Sequence, residues 1–356
     1  MRSSISDGLL CLVILCAAIL CLSFSGCKKT AEKSASESDS FILGFSQIGA
    51  ESAWRNCHTR SVQDAASAAE VQLLYFNAEQ KQENQIKAIR SFIAYQVDVI
   101  AFVPIVSYGW EHVLNEAREA DIPVLICDRE INIQNESFYA GFIGTNSLKQ
   151  GQSAAEFLLK KFAPESAGNM PPEGTPGKAP VGTPKARTIR IVELSGTEGS
   201  SVAVNRALGF REILDAHHKE NKYPVFEIIY SESGDFLRSK GYELMCSILD
   251  TISSFDVIYS HNDSMTLGAI DAMKERGYKP GIDIVIVTID AEQAAIDALG
   301  RGEVNCVVEC NPKQGREILR LAAQLSRGES IPRVTYMTEE VFSEDDDLSG
   351  IPPRGY

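Results

Sequence analysis

The chain has 356 residues, 44% hydrophobic and 23% charged, enough for two domains of ordinary size. That composition excludes a disulfide mini-protein, a collagen-like repeat and a wholly disordered chain. The formal charge is −14, from 34 Lys+Arg against 48 Asp+Glu, so the chain has no general attraction to nucleic acid phosphates.

Residues 8–22 form an unbroken apolar run behind one basic residue, Arg2. The run is short for a membrane span and fits the core of a signal peptide over residues 1–26. Phe24-Ser25-Gly26-Cys27 follows, with small residues directly before the cysteine. That arrangement resembles a bacterial lipobox, which implies that Cys27 is lipidated and becomes the mature N-terminus. Phe24 departs from the pattern, which usually has Leu there. Ordinary secretion with a free Cys27 is the alternative. Residues 27–40 lack large apolar side chains and read as a flexible tether. Lipid, tether and soluble domain together place the protein outside the cytoplasm, anchored to a membrane.

From Phe41 the chain alternates strand-like and helix-like stretches. Strands are expected at 41–46, 71–76, 97–103, 122–127 and 139–143, with helices at 56–69, 82–96 and 110–120 between them. The second half repeats the rhythm. Its strands are expected at 189–194, 225–230, 256–260, 282–289 and 304–309. Its helices fall at 201–217, 236–250, 265–276, 291–299 and 313–326. Strands joined by single helices imply parallel sheets covered on both faces. About ten such strands divide better into two lobes than one. Residues 164–187 break the pattern with six Pro and four Gly, and read as an insertion in a helix-to-strand connection.

Of nine cysteines, four lie in the first 27 residues. The other five, Cys57, Cys127, Cys246, Cys306 and Cys310, are an odd set without CxxC spacing, which is neither a disulfide framework nor a zinc site. Cys127 and Cys306 lie in apolar runs and read as buried small hydrophobes.

In parallel sheets, ligand contacts gather beyond the carboxyl ends of the strands. Those positions hold 47–55 after the first strand and Asp128-Arg129 after the fourth. In the second half they hold 196–206, His261-Asn262-Asp263, Asp290 and Glu309. Carboxylates, guanidinium forks, an amide and an indole suit a polyhydroxylated small molecule such as a sugar. Trp54 and Asp128-Arg129 each have a bland reading as core residue and surface ion pair. Asn262-Asp263 also precedes a helix, where Asp263 is expected to cap and Asn262 to face ligand. Asp290 has a similar capping alternative. Trp110 reads equally as core.

These residues and their surroundings resemble the periplasmic sugar-binding proteins of ABC importers, of the ribose and galactose type. The motifs are FSQIGAESAWR (45–55), EQKQENQIKAIRSFIAYQVDVIAFVPIVSYGWE (79–111), CDRE (127–130), ELSGTEGSSVAVNRALGF (193–210), SESGDFLRSKG (231–241), YSHNDSMTLGAI (259–270) and the terminal GY. Two of them, KQENQ and SGDF-x-RSKG, are especially similar to the galactofuranose binders of enteric bacteria. The resemblance implies a type I periplasmic binding protein fold: two doubly wound parallel-sheet lobes joined by three crossings. Motif alignment puts the crossings near Thr145-Asn146, after Glu309 and near Met337. The lobes are then 41–145 plus 310–336, and 146–309 plus 337–356. It also implies that Ser52, Trp54, Arg55, Asp128 and Arg129 bind ligand from the first lobe. Arg206, Asn262, Asp290 and Glu309 would do so from the second. Glu309 stands where ribose binders have Gln, which points away from ribose. Ala291 stands where the family usually has Gly, and Asn77 where the galactofuranose binders have Asp. The insertion is foreign to the family.

A protein that captures a monosaccharide, galactofuranose-like, and delivers it to an ABC permease is therefore expected, as a monomer without cofactor or metal. A sensing role in chemotaxis or signalling shares the same binding chemistry. A sugar-responsive transcription regulator would need a helix-turn-helix before residue 41, where the signal segment and tether lie. An enzyme is not expected, because the sequence has no GxSxG, GxxxxGK[ST] or HExxH motif.

Overall fold

A computed structural model describes residues 40–163, 188–220 and 222–356. The expected signal segment, the tether up to Asp39 and the insertion at 164–187 lie outside the described residues.

The first half builds β1 (Ile42–Gln47), α1 (Ala53–Ala68), β2 (Gln72–Asn77), α2 (Gln82–Tyr95), β3 (Val99–Phe102), α3 (Glu111–Glu119), β4 (Val124–Cys127), β5 (Gly141–Gly144) and α4 (Ser147–Lys161). The second builds β6 (Thr188–Ser195), α5 (Ser201–Lys219), β7 (Val225–Ser233), α6 (Arg238–Thr251), β8 (Val257–Ser260), α7 (Asp263–Glu275), β9 (Val285–Asp290), α8 (Gln293–Gly300) and β10 (Cys306–Glu309). Then come α9 (Gly315–Ser326), β11 (Val334–Tyr336) and β12 (Val341–Ser343).

Two six-stranded sheets result. The first has the order β11-β5-β4-β3-β1-β2, all parallel. The second has the order β12-β10-β9-β8-β6-β7, parallel except for β12. Helices cover both faces, so the central strands have no wet side. Every residue of β3, β4, β8, β9 and β10 is buried accordingly. That is why those strands read as continuous apolar runs rather than alternating ones. Cys127 and Cys306 are fully buried within them, and the five described cysteines are free thiols.

The chain passes between the sheets after β5, after β10 and after β11. Helix α4 packs on α5 and β10 of the second lobe, whereas α9 packs on α1 and β3 of the first. Strands β11 and β12 carry no expectation from the sequence. Each is three residues long and half exposed, too short for a periodicity to show. Helix α1 starts three residues before the expected 56, because the Ser52 hydroxyl accepts from Arg55 N at 3.0 Å and caps it. Trp54 and Arg55 therefore ride on the first turn of a helix rather than on a loop.

The α4–α5 packing is close enough to need glycine. A Cβ on Gly151 would stand 2.1 Å from the Arg206 carbonyl oxygen, and one on Gly209 would stand 2.1 Å from that of Leu148. Both neighbours are backbone, so the helices themselves would have to separate. Gly209→Ala is expected to destabilise the protein by roughly 1–3 kcal/mol, the usual cost of overpacking. Urea unfolding monitored by circular dichroism measures it. A change below 0.5 kcal/mol (about the noise of a surface substitution) contradicts this account of the helix pair.

Candidate functional site

The carboxyl ends of the two sheets face one another across a narrow cleft. From the first lobe it is lined by Glu51, Ser52, Trp54, Arg55, Asp128 and Arg129. From the second come Val202, Arg206, Phe236, Asn262 and Asp290, with Cys310 at the second crossing. Of the nine residues expected here, eight line the cleft and Glu309 does not.

Arg55 is held on two sides. Its Nε donates to Glu51 Oε1 at 3.0 Å, and its Nη1 stands 2.8 Å from Asp128 Oδ2. All three side chains are 4–5% exposed. Burial pushes the Asp128 carboxyl up, but the charges of Arg55, His58 and Arg129 outweigh it and hold it below the usual carboxylate range. Arg129 donates through Nη1 to the Ile105 carbonyl at 2.9 Å. Burial, and next the like charge of Arg55, bring its guanidinium down to about 10. The ring of Phe236 lies between two guanidiniums, 5.3 Å from Arg129 and 6.0 Å from Arg206.

Arg206 divides its donors among three elements. Its Nε donates to Gln150 Oε1 at 2.9 Å, its Nη1 to the His261 carbonyl, and its Nη2 reaches Asp290 Oδ1 at 3.4 Å. Burial drives the Asp290 carboxyl well above its ordinary value, against the pull of Arg206. Asp128, Asp290 and Ala291 adopt φ of 61°, 137° and 62°, in the left-handed region that favours glycine. Ala291 thus keeps the glycine-like backbone that the family pattern calls for, at the cost of local strain.

Two expectations need correction, and one alternative falls away. Glu309 is turned away from the cleft. Its Oε1 accepts from Arg354 and its Oε2 from Glu340 N, so it ties the chain crossing instead. Asn262, not Asp263, caps α7: its Oδ1 accepts from Met265 N at 3.0 Å, while its Nδ2 donates to the Phe236 carbonyl. Asp263 is fully buried below, accepting from Thr288 Oγ1 and Glu292 N. Asp290 caps nothing, since α8 begins after Glu292. Trp54 fills both roles weighed for it. It lines the cleft, yet its ring stacks on His58 at 5.3 Å and its Nε1 donates to the Cys310 carbonyl at 2.5 Å. Trp110 is core, with Nε1 donating to the Val106 carbonyl.

Glu51, Val202, Phe236 and Cys310 line the cleft without having been singled out. Glu51 and Phe236 had a signal: both lie just beyond strand ends, inside quoted motifs. Glu51 Oε2 is buried without a hydrogen-bond partner, and Arg55 Nη1 has only its ion pair with Asp128 Oδ2. Such atoms are costly unless a ligand or water completes them.

The lobes also touch outside the cleft. Ser107 donates from N and Oγ to the Gly199 carbonyl, each at 3.0 Å. Glu130 N donates to Ser201 Oγ at 2.7 Å, and Asn205 Nδ2 to Glu130 Oε2 at 3.1 Å. Trp54 N donates to Glu292 Oε1 at 3.3 Å. The structure is therefore a closed clamp.

Residues 43–330 match the model of the periplasmic binding protein domain. The chain is 36% identical to the galactofuranose-binding protein YtfQ of Escherichia coli (strain K12) over 303 residues, 84% of this chain and 86% of that one. A solved structure from Mycobacterium smegmatis in complex with β-D-fucofuranose is 38% identical, with a TM-score of 0.76, covering 86% of this chain and 92% of that one. The binding component of an arabinose ABC transporter from Shewanella sp. ANA-3, bound to α- and β-L-arabinofuranose, is 34% identical, with a TM-score of 0.74 over 85% and 92%.

Behind the cleft, burial lowers His58 to about 4, so it is neutral at physiological pH. The unfolded chain binds a proton on this histidine near pH 6.5 and the folded chain does not until about 4. Stability is complete above the unfolded value and falls as pH drops through that window. The expected loss from this group is roughly 3 kcal/mol. His58→Gln is expected to flatten the urea-unfolding free energy between pH 6.5 and 4.5 by about 2 kcal/mol relative to wild type, the part of that loss that falls inside this window. Parallel curves for the two proteins would contradict the assignment.

Proposed function

The chain belongs to the periplasmic binding protein family, and on that premise we propose that it captures a monosaccharide in its furanose ring form and presents it to the permease of an ABC importer. Proteins of this family work outside the cytoplasm. The observation that carries the ligand class is the cleft itself. Three guanidiniums stand among three carboxyl groups there, and Glu51 Oε2 still lacks a hydrogen-bond partner. A neutral molecule rich in hydroxyls meets those groups without adding a net charge to a dry site. A hydroxyl both donates and accepts, so one ligand can satisfy Glu51 and Arg55 together. The Phe236 and Trp54 rings supply apolar surface for C–H faces.

The relatives support the ring form. The sugars named for them, galactofuranose, fucofuranose and L-arabinofuranose, share a five-membered ring and differ in the tail beyond it. Asp128, Arg129, Arg55 and Ser52 bind from the first lobe, and Arg206, Asn262 and Asp290 from the second. Ligand that contacts both lobes selects the closed state, and the permease reads that shape. Lipidation of Cys27 holds the protein at the membrane. Loss of fatty-acid labelling in Cys27→Ala checks this.

D-galactose, D-fucose and L-arabinose each present both ring forms at equilibrium. Crystals grown with each are expected to hold the furanose form in the cleft. Exclusive pyranose density, or no binding in calorimetry, would overturn the reading. Asp128→Asn keeps the shape of the side chain and removes its charge. It is expected to weaken sugar binding by tenfold to about a hundredfold, the worth of a charged hydrogen bond. Glu130→Ala cuts only closing contacts. It is expected to raise the dissociation rate while leaving the order of sugar preference unchanged, which stopped-flow competition measures.

A further inference from the structure

The second and third inter-lobe connections, and the helix that follows the first, meet at one side chain. Glu339 lies on the third connection, between β11 and β12. Gln150, on the first turns of α4 just after the first connection, donates through Nε2 to Glu339 Oε1 at 2.9 Å and to Oε2 at 3.0 Å. Asn311, on the second connection, donates its backbone N to Glu339 Oε1 at 3.3 Å. Gln150 also accepts from Arg206 Nε at 2.9 Å, and Arg206 lines the cleft. A continuous path thus runs from the cleft through Gln150 to Glu339 and from there to the second and third connections.

We propose that Glu339 is a positioning residue that couples closure of the cleft to the uptake of a proton. The inference rests on the reading of the chain as a sugar-binding clamp.

The surroundings of Glu339 set the direction. Arg206 faces it from α5, and the Gln150 amide from α4. From β10 and the second connection come Glu309, which is paired with Arg354, and the Cys310 thiol. Glu340 is its chain neighbour. Burial is the largest influence and raises the carboxyl to about 7, with Glu309 adding to it, while Gln150, Arg206 and Asn311 N pull the other way. Glu339 is half-buried in the closed state, and an opening that parts the connections exposes its carboxylate further and returns it towards its ordinary value. A group whose proton is held more tightly in the closed state favours closure as pH falls. Closure then takes up a proton on Glu339 near neutral pH.

Affinity for L-arabinose is expected to rise about tenfold between pH 8 and pH 6 in the wild type, which follows from a tenfold change per pH unit below the closed-state value. Glu339→Gln is neutral and of the same shape. It is expected to bind equally at both pH values, and more tightly than the wild type at pH 6. Gln150→Met removes a donor to Glu339, so its pH-dependent window is expected to move upward. A wild type without pH dependence, or a Glu339→Gln variant that keeps it, would overturn the coupling. Sugar binding at any pH keeps the clamp reading intact in either case. Thermal unfolding gives a separate arm. The sugar-induced rise in unfolding temperature is expected to be larger at pH 6 than at pH 8 in the wild type and the same at both in Glu339→Gln, and equal rises in the wild type count against the proposal.

Discussion

Three guanidinium groups buried where two sheets meet impose the condition that the rest of the molecule satisfies. A buried charge without partners is costly, and the cost is recovered only when each donor is met with good geometry. Arg55 meets Glu51 and Asp128, Arg129 meets the Ile105 carbonyl, and Arg206 meets Gln150, the His261 carbonyl and Asp290. Each partner sits at a strand end, on a helix first turn or beside a crossing. Moving any of those elements leaves a charge exposed to a dry wall. The cleft is therefore as much a structural centre as a binding surface.

Most of the architecture is legible in the residues, for a physical reason. Strands buried on both faces must be apolar throughout, so VIAF and VLIC announce themselves, and the alternation with helices forces parallel pairing. The strand-end rule then narrows the site to a few short segments, and the family resemblance picks the eight cleft residues out of them, neither with any knowledge of side-chain direction. Direction is where it fails. Glu309 follows a central strand like Asp290 does, but Arg354, 45 positions along the chain, claims its carboxylate. Nothing local distinguishes the two. Asn262 and Asp263 are both good caps, and only the buried Thr288 hydroxyl and Glu292 amide decide which one turns inward. Phe236 escapes notice although it lies just beyond a strand end inside a quoted motif, because an apolar residue opening an expected helix reads as part of that helix rather than of a cleft.

Strain and function coincide along the same rim. Asp128, Asp290 and Ala291 hold left-handed backbone, and each follows directly from a central strand or ends one. Such conformations persist only where surrounding structure over-determines them. Here the sheet fixes one side and the ion pairs fix the other. The backbone is bent at these points because the carboxylates must leave the plane of the sheet to meet the arginines.

The three crossings also bear on how the chain is made. The core beneath the first sheet includes Ile318, Leu319, Leu321, Ala322 and Leu325 from α9, and its edge is closed by β11 at residues 334–336. The lobe that begins at the amino end of the domain is therefore finished only by its last few dozen residues. Emerging from the ribosome, the first sheet has exposed apolar surface until almost the whole polypeptide is available. A nascent chain in that condition stays loose enough to be threaded through a narrow pore, and it gains its stable form only after passage is complete.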